Sequence, residues 1–234
     1  MKVTRFDIGL QWRSHFYTAT AVMTLMVCAV AMLIPLSPLP GHVVALLLFA
    51  DPAIVGISFV GGLVMMEKGA NTLSALKTTP MPGWLYVSSK LISMTLLGVG
   101  CGVVVAIAAT GGRLSYVVCA IALGLSNILA VLLGFCLVTR VKSVNGFLRN
   151  MILASMILML PLFSFYHLVP APLSWLFNLI PSYPMLVLFE GAATPASVGF
   201  SEIAIWSVYL MCWIGGAWIW ALREYDRYLT SEAL

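Results

Sequence analysis

The chain has 234 residues, of which 62% are hydrophobic and 9% charged, with 12 Lys+Arg against 8 Asp+Glu. A soluble domain carries about 25% charged residues, so this composition excludes a soluble globule and reads as an all-α integral membrane chain. The net charge of +4 is no nucleic-acid signal here, because in a membrane protein the placement of charge outweighs its total.

Residues 1–15 place Phe6, Leu10 and Trp12 among Lys2, Arg5, Asp7 and Arg13. This reads as a basic amphipathic helix lying on the cytoplasmic face. No cleavable signal peptide is expected, since the first apolar run is long and carries no A-x-A-like site. A bilayer core takes about 20 helical residues to cross, and residues 16–234 are read as a six-span domain. The first span is predicted over Phe16–Pro35, and the second ends near Met66. The third covers Ser88–Thr110, the fourth Leu114–Val138, the fifth Asn150–Val169 and the sixth Glu202–Leu222.

The Asp51-Pro52 pair has two readings. Asp as N-cap with Pro at the first helical position predicts that span two starts here. An intramembrane acid would instead be a functional-site candidate.

Orientation follows from Lys and Arg. Every one of them except Arg113 falls at the N-terminus, after span two, after span four or in the C-terminal tail. An even number of spans with both termini cytoplasmic accounts for this distribution. The outer side then carries Leu36–Asp51 and Pro170–Ser201. The latter is too apolar for a free loop and too Pro-broken for a full span. Its Trp175, Phe177, Tyr183 and Phe189 suit the membrane interface, so short helices at or dipping into the outer leaflet are expected at about 172–200.

Small residues recur at four-residue spacing at Gly98, Gly102 and Ala106, with Ala130 and Gly134 in span four and Gly215 and Gly216 in span six. Such stripes let two backbones approach closely, within one chain or between two. Cys28, Cys101, Cys119, Cys136 and Cys212 each sit in an apolar run with no C-x-x-C partner or nearby His. They read as small hydrophobes, not as metal or redox sites. Polar atoms in the spans are few, and no relay of charged groups is expected at membrane depth. That argues against ion-coupled transport and against an intramembrane enzyme. Ser58, Ser126, Asn127 and Ser155 are the candidates for a substrate path, and hydrogen bonding to neighbouring helices is the alternative role for each.

Between spans two and three the chain becomes polar. Ala70, Leu73, Leu76 and Lys77 recur at helical spacing, and Glu67, Lys68, Asn71, Thr72 and Ser74 occupy the other faces. Pro80, Pro82 and Gly83 then stop the helix. A plain connector needs only a few residues. A short amphipathic peg over about 67–79 is suited to docking a soluble partner.

The stretch MEKGANTLSALKTTPMPGWLYVSSKLI resembles the region after the second span of ABC-2 type transporter permeases, through Glu67, Gly69, Thr72, Leu73, Leu76, Thr79, Pro80 and Lys90. Asp51-Pro52 and the NLIPSYP run at Asn178–Pro184 resemble the fluoroquinolone-export subfamily. The resemblance implies a six-span ABC-2 fold of the type V exporter kind in a bacterial inner membrane, and a drug-like or lipid-like amphipathic cargo. It also implies a second permease copy, identical or related, and a separate soluble P-loop ATPase that binds ATP and Mg. Glu67, Lys68, Asn71, Thr72, Leu73, Leu76 and Lys77 would couple to that ATPase. The chain carries no G-x-x-x-x-G-K-[ST] motif, so it is expected to be no enzyme and to hold no cofactor of its own. Peptide immunity, haem or cytochrome maturation and a non-transporting scaffold stand as the alternatives.

Overall fold

The computed structural model describes residues 16–34, 39–69, 82–141 and 143–231. The expected helix over residues 1–15 lies outside them. Every regular element among the described residues is a helix, as a chain in hydrocarbon must be when its backbone groups have no water to bond.

Helix α1 spans Phe16–Leu33, at the predicted first crossing, and packs on the third long helix. Then the reading from Asp51-Pro52 is corrected. Helix α2 begins at Gly41 and runs to Asp51. It continues without a break into a π-helical segment, Pro52–Phe59, and into α3, Val60–Gly69. Asp51 therefore lies in mid-helix and does not cap one. Pro52 has no N–H to give to the carbonyl four residues back, and the ladder widens instead of stopping. The wide turns lie close against α5, Tyr116–Thr139. A Cβ at Gly56 would overlap that of Ala130, and one at Gly134 would meet the Ile57 backbone. Proline thus alters the helix without ending it, because a facing stripe of small residues accommodates the wider coil.

Helix α4, Gly83–Thr110, starts five residues before the predicted Ser88. It ends where Gly111 and Gly112 take φ of 62° and 82°, the left-handed region that favours glycine. Its stripe packs within the chain: a Cβ at Gly98 would strike the Asn127 side chain, and one at Gly102 would strike Leu123. The Gly215 and Gly216 positions behave differently, since a Cβ there meets nothing within 4 Å.

Helix α6, Val144–Met159, begins six residues before the predicted Asn150. The cause is Ser143, whose Oγ accepts the Gly146 N–H at 3.2 Å as an N-cap. Pro161 opens α7, Pro161–Phe165, which extends the same crossing. His167 follows at φ 55°. Two short helices come next, α8 over Ala171–Asn178 and α9 over Ser182–Ala193, at an angle of 88°. Their positions agree with the short helices expected at 172–200, but α9 does not lie on the surface. Leu186, Leu188 and Phe189 are fully buried, and α9 packs against α2, α5 and the last helix. That last helix, α10, covers Phe200–Ser231 and packs along α5, which forms the centre of the bundle.

By length and composition, α4, α5, the α6–α7 pair and α10 are each sufficient to cross a membrane, and the bent α8–α9 pair would be a fifth span. The six predicted crossings are thus met in part.

Candidate functional site

The end of α3 and the start of α4, which flank residues 70–81, meet at one end of the bundle, and differently from the sequence reading. The expected peg placed Glu67 and Lys68 on free faces. Both instead turn inward. Glu67 is 5% exposed and Lys90 1% exposed. Their side chains form an ion pair through Glu67 Oε1 and Lys90 Nζ. The other carboxylate oxygen, Oε2, accepts the Tyr86 hydroxyl at 2.5 Å. Lys90 lies two turns inside the apolar helix α4, and its ammonium stands 5.3 Å from the Tyr86 ring centroid. The sequence reading placed Lys90 with the polar segment at the opening of span three; α4 instead carries it into the packed bundle. Lys90 is retained there because Glu67 neutralises it and Tyr86 fills the remaining acceptor.

Three further contacts join the neighbouring helix ends to this cluster. The Tyr86 ring stacks on Tyr225 of α10 at 5.2 Å between centroids, and Gly83 sits against the Tyr225 ring with no room for a Cβ. Lys68 Nζ donates to the carbonyls of Val138 and Val141, both at 2.9 Å. Val138 is in the last turn of α5 and Val141 lies two residues beyond it, where carbonyls lack the usual bond from four residues on and a cation also complements the helix dipole. Arg140, just past α5, donates to Glu224 of α10 at 2.6 Å and lies over the Trp220 ring at 5.1 Å. The Glu224 carboxylate holds the Arg140 guanidinium above its ordinary value. The ends of α3, α4, α10 and α5 are therefore closed into a ring by side chains.

Helix α3 stops at Gly69. Asn71, Thr72, Leu73, Leu76 and Lys77, the rest of the expected coupling set, lie outside the described residues. Their flanks are placed: Gly69 and Pro82 both adjoin the ring.

The opposite end is aromatic. Tyr166 donates to the His42 carbonyl at 3.0 Å, Tyr209 to the Leu179 carbonyl at 2.7 Å, and Tyr183 meets Trp206 edge-on at 5.4 Å.

The four residues read as a substrate path fall in two settings. Ser58 donates to the Met151 sulfur at 3.2 Å, and Ser155 lies one turn further along α6, half-buried. Ser126 and Asn127 are fully buried in α5. Asn127 Nδ2 donates to Leu123 O at 3.0 Å, and its Oδ1 and the Ser126 hydroxyl have no hydrogen-bond partner among the described residues. An apolar cavity of about 410 Å³ opens between the π segment, α5, α6 and α10, lined by Ile57, Leu133, Ala154, Ile157, Trp213 and Trp220. Ser58 and Ser155 are sequence neighbours of two of these.

A family model described as the fluoroquinolones export permease protein family matches residues 1–233. The chain belongs to that family. Two curated relatives, from two strains of Mycobacterium tuberculosis, are each named a fluoroquinolones export permease protein. Each is 30% identical over 232 residues, covering 98% of this chain and 95% of the relative. The match extends over the ring and the cavity alike, and the residue pattern quoted for the subfamily lies within it.

Sequence reasoning missed the inward turn of Glu67. The signal was available: Glu67 directly follows the apolar run Gly61–Met66 and Lys90 directly precedes the one that starts at Leu91, so opposite charges stand at the edges of two apolar runs. Charges in such places pair with one another.

Proposed function

We propose that this chain is the membrane subunit of an ATP-driven exporter that moves an amphipathic, drug-like molecule out of the cytoplasm. The observation that carries the reading is the family match along the whole chain, together with relatives named for fluoroquinolone export. It favours drug export over peptide immunity, haem maturation and a scaffold role.

In this reading six segments cross the membrane: α1, the continuous helix from Gly41 to Gly69, α4, α5, α6–α7 and α10. The α8–α9 pair re-enters from the outer side. The ring end then faces the cytoplasm, consistent with the basic residues Lys68, Arg140 and Arg227 that lie near it. A soluble P-loop ATPase docks on the segment carrying Asn71, Thr72, Leu73, Leu76 and Lys77. A second permease copy completes the pathway. Closure of the ATPase subunits on ATP moves the ring, and the packed helices pivot as rigid bodies. The cavity walls come from spans two, four, five and six and from the Leu179–Pro181 link between α8 and α9, and the volume is within the range of small-molecule pockets, about 300–1,000 Å³. A planar aromatic guest would stack on Trp213 or Trp220.

The test is fluoroquinolone accumulation in a susceptible bacterial host. Expression together with the cognate P-loop ATPase is expected to lower accumulation about tenfold at pump-limited uptake. The chain alone, or the pair with the ATPase lysine of the P-loop replaced, is expected to leave accumulation unchanged. Equal accumulation in all three strains would refute the reading.

A further inference from the structure

We propose that Glu67, Lys90 and Tyr86 form a positioning clamp that holds both ends of the 70–81 segment on one rigid base. The inference rests on the exporter reading above and deepens it: motion imposed on the segment is passed to four helices at once instead of being lost at a hinge.

The geometry points to this in three ways. First, Glu67 lies two residues before the last residue of α3, and Tyr86 and Lys90 lie in the first two turns of α4. A single carboxylate therefore joins the strand of chain that enters the segment to the one that leaves it. Second, the join is buried on every side. Glu67, Tyr86 and Lys90 are 5%, 3% and 1% exposed, so water does not compete for the pair and salt does not screen it. Third, the clamp is continuous with the rest of the bundle. Tyr86 stacks on Tyr225, which carries the contact to α10, and Lys68, next to Glu67, anchors the same helix end to the α5 carbonyls. From adjacent positions Glu67 reaches α4 and Lys68 reaches the end of α5, which fixes the rotation of the α3 terminus as well as its distance.

The paired substitution Glu67→Leu with Lys90→Leu removes both charges without leaving one of them uncompensated, which buried pairs tolerate. The charge swap Glu67→Lys with Lys90→Glu restores the pair. Tyr86→Phe removes one hydrogen bond and keeps the ring stack. The first readout uses the purified full-length chain alone: trypsin cleavage after Lys77, timed by mass spectrometry. The Leu pair is expected to be cut about tenfold faster than wild type and Tyr86→Phe about threefold faster, since cleavage tracks local opening, while the swap returns towards the wild-type rate. The second readout is drug-stimulated ATP hydrolysis by the assembled complex. The Leu pair is expected to co-purify with the ATPase and to lose at least about tenfold of the stimulation, with the swap recovering it.

Unchanged cleavage in the Leu pair, or in Tyr86→Phe if the Leu pair does not fold, would overturn the clamp. Faster cleavage with full stimulation would also overturn it, because the pair would then rigidify without positioning. A wild-type chain that fails to stimulate any ATPase would refute the exporter reading, and the cleavage result from the isolated chain would still decide whether the two ends are clamped.

Discussion

Lys90→Met in the full chain is expected to destabilise it by about 3–5 kcal/mol, the cost of leaving a buried charge without its partner. Glu67 would remain, 5% exposed and bonded only to Tyr86 among the contacts described here. The loss is a desolvation penalty, so it is not recovered by filling the volume with a hydrophobic side chain of similar length. It is recovered by removing both charges together. Thermal unfolding in detergent should therefore place Lys90→Met far below wild type and the Glu67→Leu, Lys90→Leu pair close to it. The comparison with Arg140 is informative. Its side chain is half exposed, and its partner Glu224 also accepts from Trp220 and Arg227. Arg140→Ala should move the unfolding temperature only slightly, as exposed pairs do. If Lys90→Met melts with wild type, the Glu67–Lys90 contact is not buried as described.

The second large effect is expected from Leu73→Asp. In the exporter reading, Leu73 is part of the apolar stripe that seats in the ATPase. A charge placed in the desolvated centre of such a contact costs at least about 2–4 kcal/mol, a loss of roughly 30- to 1,000-fold in affinity. Complex formation, followed by co-purification of the ATPase, should fall below detection at protein concentrations where wild type is saturated. The melting temperature of the isolated chain, measured alongside, separates loss of docking from loss of the fold. Undiminished co-purification would move the docking site off this segment.

Much of this architecture was legible in the residues. Apolar run lengths located the helices, and the Pro170–Ser201 composition identified a broken pair. The Gly98–Gly102 stripe marked a close helix contact, though not its partner, which is α5. Three features were obscured for identifiable reasons. Asp51-Pro52 has the residues of a helix start, and nothing local distinguishes a cap from a helix that widens into π turns. Only the facing Ala130 and Gly134, about eighty residues away, make the wider coil packable. Ser143 is a sound N-cap, but apolar run length places the fifth span later, because Asn145, Arg149 and Asn150 look like loop. Glu67 was assigned to an exposed face because helical periodicity ranks residues by polarity alone. Its real environment is set by Lys90 and Tyr86, contributed by the next helix after a gap that no periodic pattern spans.

The central claim is that the segment between α3 and α4 lies on the cytoplasmic side, where a nucleotide-driven partner reaches it. The most direct measurement is labelling of Lys77→Cys by a membrane-impermeant maleimide, in a chain whose exposed Cys212 is replaced by serine. No labelling is expected in intact cells and full labelling in inside-out vesicles. Labelling in intact cells would place the segment outside and contradict the claim.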